Sequence, residues 1–352
     1  MYPFFFKCPP GYERDSHRYM PRVLVLIALV FAIAFTVPAR AFAATVDINQ
    51  FEKNGTAETI QLNGWKTGNF TNDGSTTRYW FPDVYKFTIT QAGTYSILAE
   101  TQNVYSGFSG LVFVLTDSYT KGTDKTTYNP LAWFSFIGEP MSCSQEVTLN
   151  RGTYWLMVGD AHDIYVGLDN PGSYTFDVDP FSDEIHDFIN NHPKESYLGT
   201  YRIGVFKHPS GALPVYRMYN KRTSEHLYTK SISEYNSCGV GNYRDWRGEG
   251  IAWFAPKSSS TPVYRLYNRG LLVHHYTSSR AERDMLVRKH GWRYEGVAFY
   301  SDDAHGVPLY RLYNGSIRPS QHHYTSSAGE RDTLMYNYGW DYEGVNFYGV
   351  RQ

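Results

Sequence analysis

"VHHYT" at Val273–Thr277 and "QHHYT" at Gln321–Thr325 are nearly one phrase written twice, and "EHLYT" at Glu225–Thr229 is a looser third copy. Whether these histidines are ligands of a site or the phrase is one strand of a reused unit decides the fold. The flanking text favours the strand. "PVYRMYN" (Pro214–Asn220), "PVYRLYN" (Pro262–Asn268) and "PLYRLYN" (Pro308–Asn314) precede the three copies, with Tyr216, Tyr264 and Tyr310 spaced 48 and 46 residues apart. A helical stretch follows each copy: "SEYNSC", "AERDMLVRKHG", "GERDTLMYNYG". "WRGEGIAWF" (Trp246–Phe254), "WRYEGVAFY" (Trp292–Tyr300) and "WDYEGVNFY" (Trp340–Tyr348) then close the units. A period of this size marks a repeat architecture.

Within a unit, alternation puts Tyr264 and Leu266 on one strand face and Arg265 and Tyr267 on the other. Asn268 is a turn residue, and Gly291 is placed to cap a helix C-terminus. Each unit therefore reads strand, strand, helix, strand, with the last segment divisible at Glu-Gly. Three units (about 214–260, 262–306 and 308–352) predict pseudo-threefold closure, because a lone unit would expose strand edges. A β-trefoil-like domain over 200–352, with one short helix per repeat, is the first expectation, and a three-bladed ring the second. "TYRIGVFKHPSG" (Thr200–Gly211) reads as the tail of a further, degraded copy.

The first half is also mainly β. "VYKFTITQAGTYSIL" (Val84–Leu98) and "EVTLNRGTYWLMVGD" (Glu146–Asp160) each alternate, turn at a glycine and alternate again. "GLVFVLTDS" (Gly110–Ser118) reads as a central strand and "GSYTFDVDP" (Gly172–Pro180) as the last. The prediction over 44–180 is an antiparallel β-sandwich acting as an accessory domain. Residues 181–199 read as a linker with one short helix at Asp183–Asn190. Residues 1–43 read as a leader whose part 20–43 is a signal peptide. Arg22 supplies its positive charge, Val23–Val37 its apolar stretch, and Ala41-Phe42-Ala43 the cleavage rule. The expected product is secreted or extracellular, free or cell-wall associated, and not inserted in a membrane after cleavage.

Two resemblances follow from these phrases. "DVYKFTITQAGTYSI" and "LNRGTYWLMV" resemble the β-sandwich known as the bacterial pre-peptidase C-terminal domain. That resemblance implies an accessory module, sometimes with a surface calcium site; Asp160, Asp163, Asp169 and Asn170 could offer oxygen ligands, but a solvated acidic turn is the favoured reading. The Tyr-Arg-x-Tyr-Asn, His-x-Tyr-Thr and Trp-x-x-Glu-Gly phrases resemble a secreted bacterial and fungal repeat domain of unknown function. That resemblance covers about Leu213–Gln352 and implies a surface module for glycan or wall binding. Copy one departs from the pattern, with Tyr235 where Arg283 and Arg331 stand, and Gly248 where Tyr294 and Tyr342 stand.

With 33 Lys+Arg against 34 Asp+Glu, the chain has no polyanion-seeking bias, so no nucleic-acid partner is expected. Cys143 and Cys238 read as isolated small hydrophobes, a disulfide between them being the alternative. His226, His274 and His322 would meet as zinc ligands only if they pointed along a threefold axis. Since Leu227 stands opposite His275 and His323, no metal and no cofactor is expected. Glu249, Glu295 and Glu343 are equivalent once per unit, whereas a catalytic carboxylate pair needs two different environments, so no catalytic residue and no enzyme is expected. Sugars stack on aromatic faces and bind planar polar groups. The candidate ligand-binding residues are Trp246, Trp292, Trp340, Arg265, Arg311, Asn268, Asn314, His274 and His322, toward an extracellular glycan or cell-wall polymer. For Trp246, Trp292 and Trp340 a role as core plugs is the favoured reading. A protein-adhesion or structural module and an extracellular hydrolase are the alternatives.

Overall fold

The computed structural model describes residues 44–46, 58–71, 83–102, 111–121, 126–135, 142–160, 165–170, 173–177, 197–239, 241–317, 319 and 321–352. The expected signal peptide, the helix at 183–190, most of the 181–199 linker and Asp163 of the acidic loop lie outside these residues. Among them, no helix is long and apolar enough to cross a membrane.

The chain is mainly β, in several small antiparallel sheets. Two sheets form the first half, of eight strands and of four. Asp83–Ile89 and Gly93–Gln102 do not pair with each other. The first joins the eight-stranded sheet beside Gly152–Asp160, and the second joins the four-stranded sheet beside Ser142–Leu149. The two look-alike phrases are thus two crossings between sheets, running in opposite directions. Each is braced by the tyrosine of its Gly-Thr-Tyr: Tyr95 donates to Gln91 O (2.6 Å) and Tyr154 to Asn150 O (3.1 Å). Alternation then sends Tyr85, Phe87, Ile89 and Leu156 from one sheet and Ile97, Ala99, Ile203 and Val205 from the other into one buried cluster.

Thr200–Lys207, read as the start of the repeat domain, lies elsewhere. It belongs to the strand Tyr197–Lys207, which is inserted between Trp65–Thr71 and Gly93–Gln102 in the four-stranded sheet. Its Tyr201, Ile203 and Val205 alternate into that core, and no repeat strand pairs with it among the described residues.

Each repeat is a three-stranded sheet with its first strand in the middle. The central strands are Ala212–Asn220, Pro262–Asn268 and Val307–Asn314. The edge strands His226–Thr229, Val273–Thr277 and Gln321–Thr325 carry the His-x-Tyr-Thr phrase. Trp246–Pro256, Arg293–Tyr300 and Asp341–Gly349 complete the sheets. A trefoil calls for four strands per unit. Here the Glu-Gly segment stays one strand, because Gly250, Gly296 and Gly344 take positive φ (85°, 108°, 100°) at a bulge and let the pairing resume. The helices are Ile232–Tyr235, Arg280–His290 and Ala328–Tyr338. Gly291 and Gly339 end the two longer ones at φ 67°.

Three tyrosines tie the sheets together. Tyr276 donates its hydroxyl to Tyr228 O (2.8 Å) and accepts from Tyr228 N (2.9 Å). Tyr324 treats Tyr276 in the same way (2.7 and 3.1 Å), and Tyr228 treats Tyr324 (2.7 and 3.0 Å). The rings sit 5.6 Å apart, edge to face, on all three sides. Below them Trp253, Phe299 and Phe347 form a second triangle with sides of 5.4 to 5.9 Å. Val215, Val263 and Leu309 are fully buried in the same cluster. Edge-to-face aromatic pairs add about 0.5–1.5 kcal/mol each beyond burial.

Copy one departs from the pattern because it docks on the four-stranded sheet. Ser144 Oγ is 2.9 Å from Tyr216 Oη, and Ser144 and Asn236 exchange two hydrogen bonds, of 2.8 and 3.0 Å. Ser142 Oγ accepts from Gly248 N at 2.7 Å. A Cβ on Gly248 would lie 2.1 Å from that oxygen and 2.6 Å from the Tyr235 ring, so no tyrosine fits there. Tyr235 instead stacks on Tyr216 (4.6 Å) and donates to the buried Glu100 (3.2 Å). The same strand explains the cysteines, which are free. Ser142 and Ser144 face copy one, so Cys143 between them faces the opposite core, away from Cys238.

Two measurements check this account. Tyr276→Phe strips Tyr228 of both backbone partners and is expected to cost about 1–3 kcal/mol in denaturant unfolding. Gly248→Tyr, which restores the pattern of copies two and three, is expected to destabilise by about 1–3 kcal/mol through overpacking. The reverse substitution Tyr294→Gly lies on an open face and should cost less.

Candidate functional site

The polar residues of the repeats sort into two places: a ring between units and an outer face on each unit. The ring is built by the arginine of Tyr-Arg-x-Tyr-Asn. Arg217 meets Glu249 of its own unit (2.7 Å) and Glu330 of copy three (3.0 Å). Arg265 meets Glu295 (3.0 Å) and Glu234 of copy one (3.1 Å), and Arg311 meets Glu343 (2.8 Å) and Glu282 of copy two (3.2 Å). The helix glutamate is positioned by its cap. Ser231, Ser279 and Ser327 accept the backbone N–H of Glu234, Glu282 and Glu330, which leaves each carboxylate free to reach the next unit.

The histidines fill this ring. His226, His274 and His322 lie 3.4, 3.5 and 3.3 Å from Glu249, Glu295 and Glu343 of their own units. His275 and His323 are buried and reach Glu282 and Glu330. Neighbouring units meet ring to ring: His226 on His323 (4.6 Å) and His322 on His275 (4.5 Å). Where copy one has Leu227, His274 pairs with Glu225 instead (2.7 Å). No group of three metal-ligating side chains is assembled among the described residues.

Of the sequence candidates, Arg265, Arg311, His274 and His322 are therefore held in the ring. Asn268 and Asn314 cap turns, each accepting two backbone N–H groups. Trp246 is 8% exposed inside a hydrophobic cluster. Trp292 and Trp340 are half-buried against His275 (5.9 Å) and His323 (6.0 Å). The nine residues do not converge on one site.

The outer face collects others. Arg283 lies 4.5 Å from the Tyr264 ring centre and 5.3 Å from that of Tyr294. Arg331 sits likewise between Tyr310 (4.5 Å) and Tyr342 (5.6 Å). Asp284 and Asp332 hold the two guanidiniums at 2.7 Å. Tyr294 and Tyr342 are exposed, and so are Val297 and Val345 beside them in sequence. An arginine clamped by its aspartate beside an exposed aromatic ring sets a planar polar group next to a stacking surface. A sequence signal for it existed. In copy one the arginine and the second tyrosine are lost together, as Tyr235 and Gly248, which marks two positions sharing one task.

Residues 214–350 match the family model described as "Domain of unknown function (DUF5648)". The matched region begins within the first central strand and ends at the close of copy three, leaving the first half and the strand Tyr197–Lys207 outside it. A solved structure of the pre-peptidase C-terminal domain of collagenase from Bacillus anthracis is similar over 44% of this chain and 98% of its own, at 16% identity and a TM-score of 0.23. No curated protein matches the chain.

Ring electrostatics set a pH dependence. Burial raises the carboxyl pKa of Glu249, but the His226 hydrogen bond and the Arg217 charge outweigh it and hold the group at about 2. For Glu282, burial is outweighed by the hydrogen bonds from His275 and Thr277 together with the charges of His275 and Arg311, again giving about 2. A carboxyl depressed below its ordinary 4.5 contributes stability that is complete above 4.5 and is lost as pH falls through the folded value. The unfolding difference between the wild type and Glu249→Gln should therefore be full at pH 6 and shrink steadily between about pH 4.5 and pH 2. A pH-independent difference would mean that the ring is not charged.

Proposed function

We propose that this chain is a secreted, non-catalytic binding protein whose C-terminal repeats recognise a glycan or cell-wall polymer. The observation that carries this reading is the exposed tyrosine of each tyrosine–arginine–tyrosine cluster, Tyr294 on copy two and Tyr342 on copy three. Neither is needed to close the ring, and both present an aromatic edge beside clamped N–H donors. Two copies of one weak site on a rigid scaffold suit a repeating polymer, where the second contact forms at high effective concentration. The carboxylates that recur in each unit are neutralised by arginine and histidine, which argues against general acid–base work. In this reading the repeats are a pseudo-threefold module and the first half is an accessory β-sandwich of the pre-peptidase kind. The leader at 20–43 would direct export.

One observation favours a protein ligand as the second reading: the equivalent face of copy one is buried on a protein sheet through Ser142, Ser144 and Asn236. A glycan array probed with the full chain, with Tyr294→Ala and with Tyr342→Ala separates the two. Each substitution is expected to weaken polymer binding by about tenfold, as the loss of one stacking surface does, with little change in unfolding midpoint. An array without hits, beside a pull-down that captures a protein in a Tyr294-dependent way, would overturn the glycan reading.

A further inference from the structure

The two open faces share one backbone frame, so each serves as a control for the other. Their helices are both 11 residues long, start at a serine cap and end at a glycine with φ 67°. Yet their outer side chains differ in charge. Copy two carries Arg288, Lys289 and His290 in the last helical turn, where copy three carries Tyr336, Asn337 and Tyr338. Basic residues suit a helix C-terminus in general. Copy three, with the same cap and none of them, shows that this helix does not require them.

The difference continues over the aromatic cluster. Arg280 donates to Tyr264 Oη at 3.1 Å and helps cover that ring, which is 4% exposed. Copy three has Ala328 in that place, and Tyr310 is left half-buried. The acidic groups of copy two do not cancel its cations. Asp284 is clamped by Arg283, Glu282 by Arg311 and Glu295 by Arg265. Arg288 is 76% exposed, and its own contact with Asp284 is a distant 3.9 Å. Among the described residues, Arg280 and Lys289 have no carboxylate partner. On copy three Tyr336 is 80% exposed and Tyr338 67%. Tyr338 lies seven residues after Arg331, on the same helical stripe that meets Tyr310 and Tyr342.

We infer that the two faces have diverged in ligand charge: copy two takes an acidic sugar residue and copy three a neutral one. The inference rests on the glycan reading above and names the sugar chemistry of each site. A carboxylate or sulfate on a glycan finds Arg280, bonded to Tyr264, and Arg288, whose contact with Asp284 brings it to the Arg283–Tyr294 cluster. An uncharged pyranose finds two exposed tyrosine surfaces, Tyr338 and Tyr342, beside a guanidinium already paired with Asp332.

The test is an array printed with neutral, carboxylated and sulfated glycans, probed with the full chain at two salt concentrations. Acidic glycans should bind in a salt-sensitive manner and neutral ones in a salt-insensitive manner. The double variant Arg280→Glu/Arg288→Glu should weaken acidic binding about tenfold and leave neutral binding unchanged. Tyr338→Ala should do the reverse. Acidic binding that survives the charge reversal, or hits confined to neutral glycans, would overturn the inference and leave the glycan reading intact. Equal retention of a single-stranded DNA oligonucleotide at the same salt would also overturn it, by exposing a plain cation patch. A blank array would instead remove the glycan reading on which it rests.

Discussion

A strand edge buried against a neighbour must find partners for its outward N–H and C=O groups. Each repeat here has that problem once, at the tyrosine of its His-x-Tyr-Thr strand. The solution is cyclic: the hydroxyl of the next tyrosine supplies both a donor and an acceptor to the edge. No single unit can satisfy itself, since the hydroxyl that covers its edge belongs to another. Closure at three units is therefore a hydrogen-bonding requirement as well as a packing preference, and the aromatic triangle of Trp253, Phe299 and Phe347 fills the space that this closure creates.

The arginine–glutamate ring reinforces the same cycle one layer out. Each arginine is held by a glutamate of its own unit and reaches the helix glutamate of the neighbour. The histidines that first draw attention in the sequence are packed between these pairs. Their abundance reflects a half-buried ring that needs flat polar groups able to stack and hydrogen-bond at once. The pattern that copies two and three share is broken at copy one. There a tyrosine, a glycine and a leucine replace polar or bulky counterparts, and the first two of these face the four-stranded sheet.

Much of this was legible in the residues. The spacing of Tyr216, Tyr264 and Tyr310 announced three units, and the alternation in "PVYRLYN" assigned Tyr264 and Leu266 to the interior, where they are buried. Gly291 capped its helix as its position implied. The alliance of each first histidine with the glutamate of its own unit was also foreseeable, because both recur once per period. Less legible was Thr200–Lys207, whose apolar alternation fits a strand in either half and whose partner is set by distant residues. The candidate site was the least legible. Tryptophan and histidine draw the eye as ligand groups, whereas the exposed cluster is made of arginine and tyrosine that look like scaffold.

The sequence by itself determined the repeat unit, its strands and caps, and the positions where copy one is unlike the others. Those are local properties, written in alternation, turn residues and period. Tertiary structure alone decided which tyrosine hydroxyl covers which edge, which glutamate each arginine reaches across a unit boundary, and which aromatic rings remain exposed. These depend on the meeting of surfaces some 48 residues apart in the chain, for which a periodic pattern supplies the groups but not their directions.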